Sequence, residues 1–245
     1  MEPPAGEPGW TSLAANPYDA RPTMVKLPEP PTPNVLRSIP AEIHMIPAGK
    51  LLWRVHPRAG AHPTSWNEFR TYGPVPTSRF DHHVQPPGSQ PRGILYAAES
   101  VRTCIAEYFQ ETRTIDTKRG SPSLVAFRLV RDVAALNLRG TWPTRAGASM
   151  NINSGPRGMA RAWSRTIHEA YPGVAGVLYC SSMNANEPAV ALYERASAAL
   201  PAAPEFNRPL SDPDLIPVLE QAAHRFGYAL LLPDPGPVAG GGSSA

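Results

Sequence analysis

Cysteine is scarce in this chain of 245 residues: Cys104 and Cys180 are the two, each inside an apolar segment. That count excludes a disulfide framework, and thiols so placed read as buried and inert. Long apolar runs are missing too, since no segment reaches the ~18 residues needed to span a bilayer. The start, Met1-Glu-Pro-Pro-Ala-Gly-Glu-Pro, has neither the charged onset nor the apolar stretch of a secretory signal, so a cytoplasmic location without membrane contact is expected. No Gly-x-Gly-x-x-Gly follows a strand and no Walker-type lysine loop occurs, which disfavours Rossmann and P-loop nucleotide sites. Basic runs are also lacking. A net charge of +3 and a pI near 9.0, with Lys and Arg scattered, allow attraction to anions but argue against direct nucleic-acid binding.

Proline, by contrast, is abundant, with 31 residues and a large share before Pro40. Stretches such as Leu27-Pro-Glu-Pro-Pro-Thr-Pro33 lack amide donors and have fixed φ angles, so residues 1–34 are expected to form an extended or disordered arm. Residues 233–245, rich in Gly, Pro and Ser, carry too little apolar surface to offset ordering entropy and read as a flexible tail. The folded part is then one domain over 35–232, and 42% hydrophobic residues suffice for one core.

Within it, strands are expected at Leu51–Val55, Ile94–Ala97, Leu124–Val130, Val174–Tyr179, Val190–Tyr193 and Tyr228–Leu232. A first helix starts after the N-cap Ser100 and puts Val101, Cys104, Ile105 and Tyr108 on one stripe, with Glu107 beside it at the edge of the core. A second runs from about Pro156 to Ala170, and a third from about Pro213 to Phe226, capped by Asp212 and stopped by Gly227. Neither of the last two shows a buried-looking acid or base, so both read as scaffold. Strands and helices do not alternate strictly, which gives a mixed α+β class rather than a doubly wound fold.

Four polar residues stand out in apolar or aromatic surroundings: Arg79, Tyr96, Glu107 and Ser181. A cation, an aromatic face, a carboxylate and a hydroxyl can together bind a phosphorylated nucleotide and stabilise a sugar cation. Glu107 suits an oxocarbenium-like centre or the ribose hydroxyls. Arg79 or Arg54 offers the planar fork that matches phosphate oxygens. Tyr96 offers a flat face for a heteroaromatic ring. Ser181 orients the ribose or a phosphate, since no Ser-His-Asp arrangement surrounds it. Asn184 is placed to hydrogen-bond a substrate. Asp81-His82-His83, with His56 and His62, lacks structural-zinc spacing, so no metal site is expected.

The order Thr77-Ser-Arg-Phe-Asp81, Ile94-Leu-Tyr96, Ala106-Glu107 and Tyr179-Cys-Ser181 resembles the RES-domain family, whose name comes from its Arg, Glu and Ser. The likeness covers Leu51 to about Arg195. It departs at Ser78, Phe80 and Asp81, where the family has Gly, Trp and Asn, and Arg54 in Leu52-Trp-Arg-Val55 also resembles the start of the domain. The resemblance implies a fold like the ADP-ribosyltransferase core and a toxin that degrades NAD⁺, often by phosphorolysis, with no further cofactor beyond inorganic phosphate as co-substrate. It also implies an antitoxin partner of the Xre helix-turn-helix type, through which any DNA contact would run. A homodimer, protein ADP-ribosylation and a non-catalytic binding module remain open on the residues alone.

Overall fold

The computed structural model describes residues 26–233. In chain order the elements are α1 (Pro33–Arg37), β1 (Ile43–Ile46), β2 (Leu51–Pro57), β3 (Arg70–Gly73), β4 (Gly88–Ala98), α2 (Val101–Tyr108), β5 (Thr114–Asp116), β6 (Pro122–Arg128), β7 (Val133–Asn137), α3 (Trp142–Arg145), α4 (Arg157–Ala170), β8 (Gly176–Cys180), β9 (Pro188–Tyr193), β10 (Phe206–Pro209), α5 (Ile216–Phe226) and β11 (Ala229–Leu231). Among the described residues nine strands form one sheet in the order β1-β7-β8-β9-β4-β2-β6-β10, with β3 beside β4. In that sheet β7 and β8 run parallel, joined by a crossover through α3 and α4, and the other pairs are antiparallel. β5 and β11 make a separate parallel pair. This is the expected α+β class in one domain. No helix among the described residues is long and apolar enough to cross a membrane.

Strand alternation divides the sheet into two apolar faces. Val55, Ile94, Val177, Ala191 and Tyr193 face the helices, in a cluster with Ile105 of α2, Trp163 and Ile167 of α4 and Leu219 of α5. Leu52, Leu95, Phe127, Leu178 and Val190 form the core of the opposite face, covered by Trp66, Phe69 and Ala196. The central strand β8 is buried along its whole length, as a strand covered on both faces should be. Gly176 is needed there, because a Cβ would sit 2.7 Å from the carbonyl oxygen of Ala191.

The helix signals act as expected. The Ser100 hydroxyl accepts from the Thr103 N–H at 3.2 Å, Asp212 accepts from the Asp214 N–H, and Gly227 closes α5 at φ +63°. The expected third helix opens as a 3₁₀ turn over Pro213–Leu215 before α5 begins. Most of the expected arm, residues 1–25, and the tail from 234 onward lie outside the described residues. The end of that arm is held in place: Leu27 is buried, Trp163 Nε1 donates to the Pro28 carbonyl at 2.8 Å, and Ser149 Oγ donates to the Lys26 carbonyl. Residues 26–32 form neither helix nor strand, as their prolines require, but Pro33 and Asn34, expected in the arm, already open α1, where a proline at the first turn loses no hydrogen bond.

Candidate active site

The site forms where β4, β8 and α2 converge on the helix-bearing face. Tyr96 shares the parity of Ile94, and Tyr179 that of Val177, so both rings point toward α2. There a cavity of about 300 Å³ opens, lined among others by Arg79, Tyr96, Cys104, Glu107, Tyr108 and Tyr179.

Glu107 is its chemical centre. Ser181 Oγ donates to Glu107 Oε1 at 2.5 Å, and Tyr179 Oη donates to Oε2 at 3.4 Å. Burial raises the carboxyl pKa above its ordinary value, while Ser181, Arg79, Tyr179 and Arg157 pull the other way. The result is a partly desolvated, oriented carboxylate with a cation beside it. Ser181 itself is fully buried at the end of β8, and its oxygen also accepts from the N–H groups of Met183 and Asn184, each at 3.2 Å. A hydroxyl has one proton and two lone pairs, so its bonding capacity is used within the protein. Asn184, also buried, donates from Nδ2 to Thr103 Oγ1 at 2.9 Å and thereby ties this turn to the first turn of α2. Both residues hold Glu107 in place rather than face the cavity.

The loop carrying Arg79 is held from below. The Tyr96 hydroxyl accepts from the Phe80 N–H at 2.9 Å, and the Phe80 carbonyl accepts from Ser164 Oγ at 2.7 Å. The buried Phe80 ring packs on Tyr179 at 4.8 Å between centroids. Arg79 NH1 donates to the Gly155 carbonyl at 2.5 Å, leaving the rest of its guanidinium at the cavity. Ser78 does not adopt positive φ, so no glycine is required there. Asp81, at zero exposure, accepts from Arg70 NH2 at 2.9 Å, from the Val75 N–H at 2.6 Å and from His83. Burial alone would raise its pKa, but these donors hold it well below the carboxylate range. The aspartate thus anchors the loop.

Arg54 is the site candidate that stands apart. It shares the parity of Leu52, not of Val55, and its NH1 donates to the Trp66 and Glu68 carbonyls at 2.6 and 3.1 Å, fastening the 58–69 segment. Burial lowers its pKa to about 10, and its charge acts on Cys104 and Tyr108 from behind the cavity. Cys104 lines the cavity, yet burial pushes its thiol up to about 12, which leaves it inert.

The histidines divide differently from their grouping in the sequence. His82 meets His168 of α4 and Glu194, with ligand-type atoms within 4.8 Å of one another. The distances are 3.1 Å from His82 Nε2 and 2.7 Å from His168 Nε2 to the Glu194 oxygens, and the Gly93 N–H donates to the same carboxylate at 3.0 Å. His82 Nδ1 is buried without a partner, and Arg195 NH2 lies 3.3 Å from His168 Nδ1. In this structure Glu194 joins the two histidines and the Gly93 N–H in one hydrogen-bonded hub. Burial pushes His82 down to about 4 despite Glu194. α4 therefore does carry a buried base, His168, contrary to its reading as plain scaffold; its partner Glu194 lies 26 positions away and gives no local signal.

Two further residues escaped the sequence reading. Tyr108, 38% exposed and at the cavity wall, packs edge-on with Phe109 at 4.8 Å between centroids; its place on the expected stripe suggested core. Arg157, which opens α4, reaches Glu111 and Gln110.

The family model of the RES domain matches residues 51–212. No curated protein matches the chain. Among solved structures, the M.tuberculosis MbcT–MbcA toxin–antitoxin complex contains a similar chain, at 18% identity and a TM-score of 0.47, covering 72% of this chain and 90% of that one.

Proposed function

Because the chain belongs to the RES-domain family, we propose that it cleaves the bond between nicotinamide and ribose in NAD⁺, as the toxin of a toxin–antitoxin pair. The observation that carries this reading is Glu107, a carboxylate oriented by Ser181 and Tyr179 and facing Arg79 across a cavity. Cleavage moves the electron pair of the C–N bond onto the pyridinium nitrogen, so nicotinamide leaves neutral and needs no general acid. Positive charge develops on the ribose, and an ionised Glu107 stabilises it at short range in a medium poorer than water at screening. Phosphate or water then bonds to the anomeric carbon, giving ADP-ribose 1″-phosphate or, with loss of a proton to solvent, ADP-ribose. Arg79 neutralises phosphoryl oxygens, and Tyr108 at the cavity wall offers the nucleotide an aromatic contact.

Mass analysis of products after incubation with NAD⁺, with and without inorganic phosphate, tests this. Phosphorolysis is expected, with the 1″-phosphate as the main product when phosphate is present. ADP-ribose in both conditions would make the enzyme a hydrolase, and intact NAD⁺ would refute the proposal. Label transferred to protein would redirect it to ADP-ribosylation. The partner we propose is an Xre-type antitoxin; co-expression that relieves growth arrest would support it.

A further inference from the structure

Resting on that reading, we propose that Arg157 is a further substrate-binding residue, which leaves Glu111 to take a phosphoryl oxygen of the nucleotide at the mouth of the cavity. α4 and the Arg79 loop behave as one unit: Arg161 NH1 donates to the Pro76 carbonyl at 2.6 Å, Ser164 to Phe80, and Arg79 to Gly155, two residues before Arg157. The two guanidinium groups are thereby held on one rim. Arg157 NH2 meets Glu111 Oε1 at 2.5 Å and Gln110 Oε1 at 2.9 Å, and both partners line the cavity.

The charge balance gives this arrangement its direction. Arg157 acts on Arg79, disfavouring its charge, and on Glu107, favouring ionisation. Without ligand the rim holds two cations and two carboxylates, Glu107 inside and Glu111 outside. The pyrophosphate of the dinucleotide brings two negative charges to this rim, while Glu107 is already bonded to Ser181 and Tyr179. The exchangeable partner is therefore Glu111. Its bridge to Arg157 is solvent-facing, with side-chain exposures of 48% and 30%, and such exposed pairs contribute little. A phosphate that accepts two parallel N–H bonds from the guanidinium displaces it readily. Arg54 has no such freedom, because it is buried and its NH1 is held by two backbone carbonyls on the other face of the sheet.

The test is NAD⁺ kinetics on R157A, R157K, E111Q and the R157A/E111Q pair, with calorimetric binding of inorganic pyrophosphate as an independent readout. R157A is expected to raise KM about tenfold, the factor that 1.4 kcal/mol represents, with kcat within about twofold. R157K, which keeps charge but loses the fork, should fall between. E111Q should lower KM about two- to threefold by freeing Arg157, and that gain should vanish in the double variant. An unchanged KM in R157A, a loss confined to kcat, or an E111Q gain that persists without Arg157 would each overturn the proposal. If the wild-type protein consumes no NAD⁺, pyrophosphate binding that weakens in R157A keeps the anion site while discarding the NAD⁺ reading; binding equal in both discards the site.

Discussion

Replacing Ser181 with alanine separates a positioning hydroxyl from a nucleophile. In the structure Ser181 Oγ gives its proton to Glu107 Oε1 at 2.5 Å and stabilises the ionised carboxylate. Burial raises the Glu107 pKa, and this bond is the foremost influence opposing it. Without the hydroxyl the carboxyl titrates at higher pH, so the acidic limb of the pH–rate profile must move up. A hydrogen bond to a charged group contributes about 1.5–3 kcal/mol, and the site is partly open to water, so the lower end applies. At 1.36 kcal/mol per unit the limb moves by about one pH unit. Initial rates of NAD⁺ loss from pH 4.5 to 9 would show the deficit growing on the acid side and shrinking toward pH 9. An unmoved limb would show that Ser181 does not tune Glu107. Activity absent at every pH would show that the hydroxyl itself enters the reaction, and the positioning argument would be wrong.

Other outcomes follow from the same geometry. E107Q should cut kcat at least a hundredfold, the scale of losing one oriented charge-stabilising group. It should also melt higher than the wild type at pH 8: a carboxyl with raised folded pKa loses stability as pH rises through that pKa, glutamine does not, and the gap should close below the ordinary carboxylate range. Y96F leaves the Phe80 N–H without its acceptor, so urea unfolding should show a loss of about 1–3 kcal/mol, with KM rising as the Arg79 loop loosens. R79K and R54K should split cleanly: the first raises KM at near-normal stability, while the second loses stability through the 58–69 segment and changes KM less.

How much of this was legible in the sequence depends on the range of each interaction. A period of two places Tyr96 with Ile94 and Tyr179 with Val177, and a helical period puts Glu107 at the margin of its stripe; all three sit as those periods require. The same rule assigns Arg54 to the Leu52 face, away from the cavity, although its motif resembles the start of the domain. Strands β1, β3 and β5 have only 3 or 4 residues of mixed polarity, and their form comes from pairing with β7, β4 and β11 rather than from composition. The roles of His168, Arg157 and Asn184 depend on Glu194, Glu111 and Thr103, whose proximity is a product of topology. Local patterning cannot supply that.

The bond between Ser181 and Glu107 spans 74 positions, and the helix bearing Glu107 is held from the far end of the chain, where the Tyr228 hydroxyl donates to the Ala106 carbonyl at 3.3 Å and β11 pairs with β5. The order of synthesis therefore sets when the site can close. While the ribosome is still adding residues up to Leu231, the growing polypeptide holds Arg79, Tyr96 and Glu107 but cannot yet fix them, and long-range pairings of this kind close last. The site is thus assembled from partners on both sides of Glu107 in the sequence, and its carboxylate acquires its final surroundings only once Ser181 has folded against it and β11 has paired with β5.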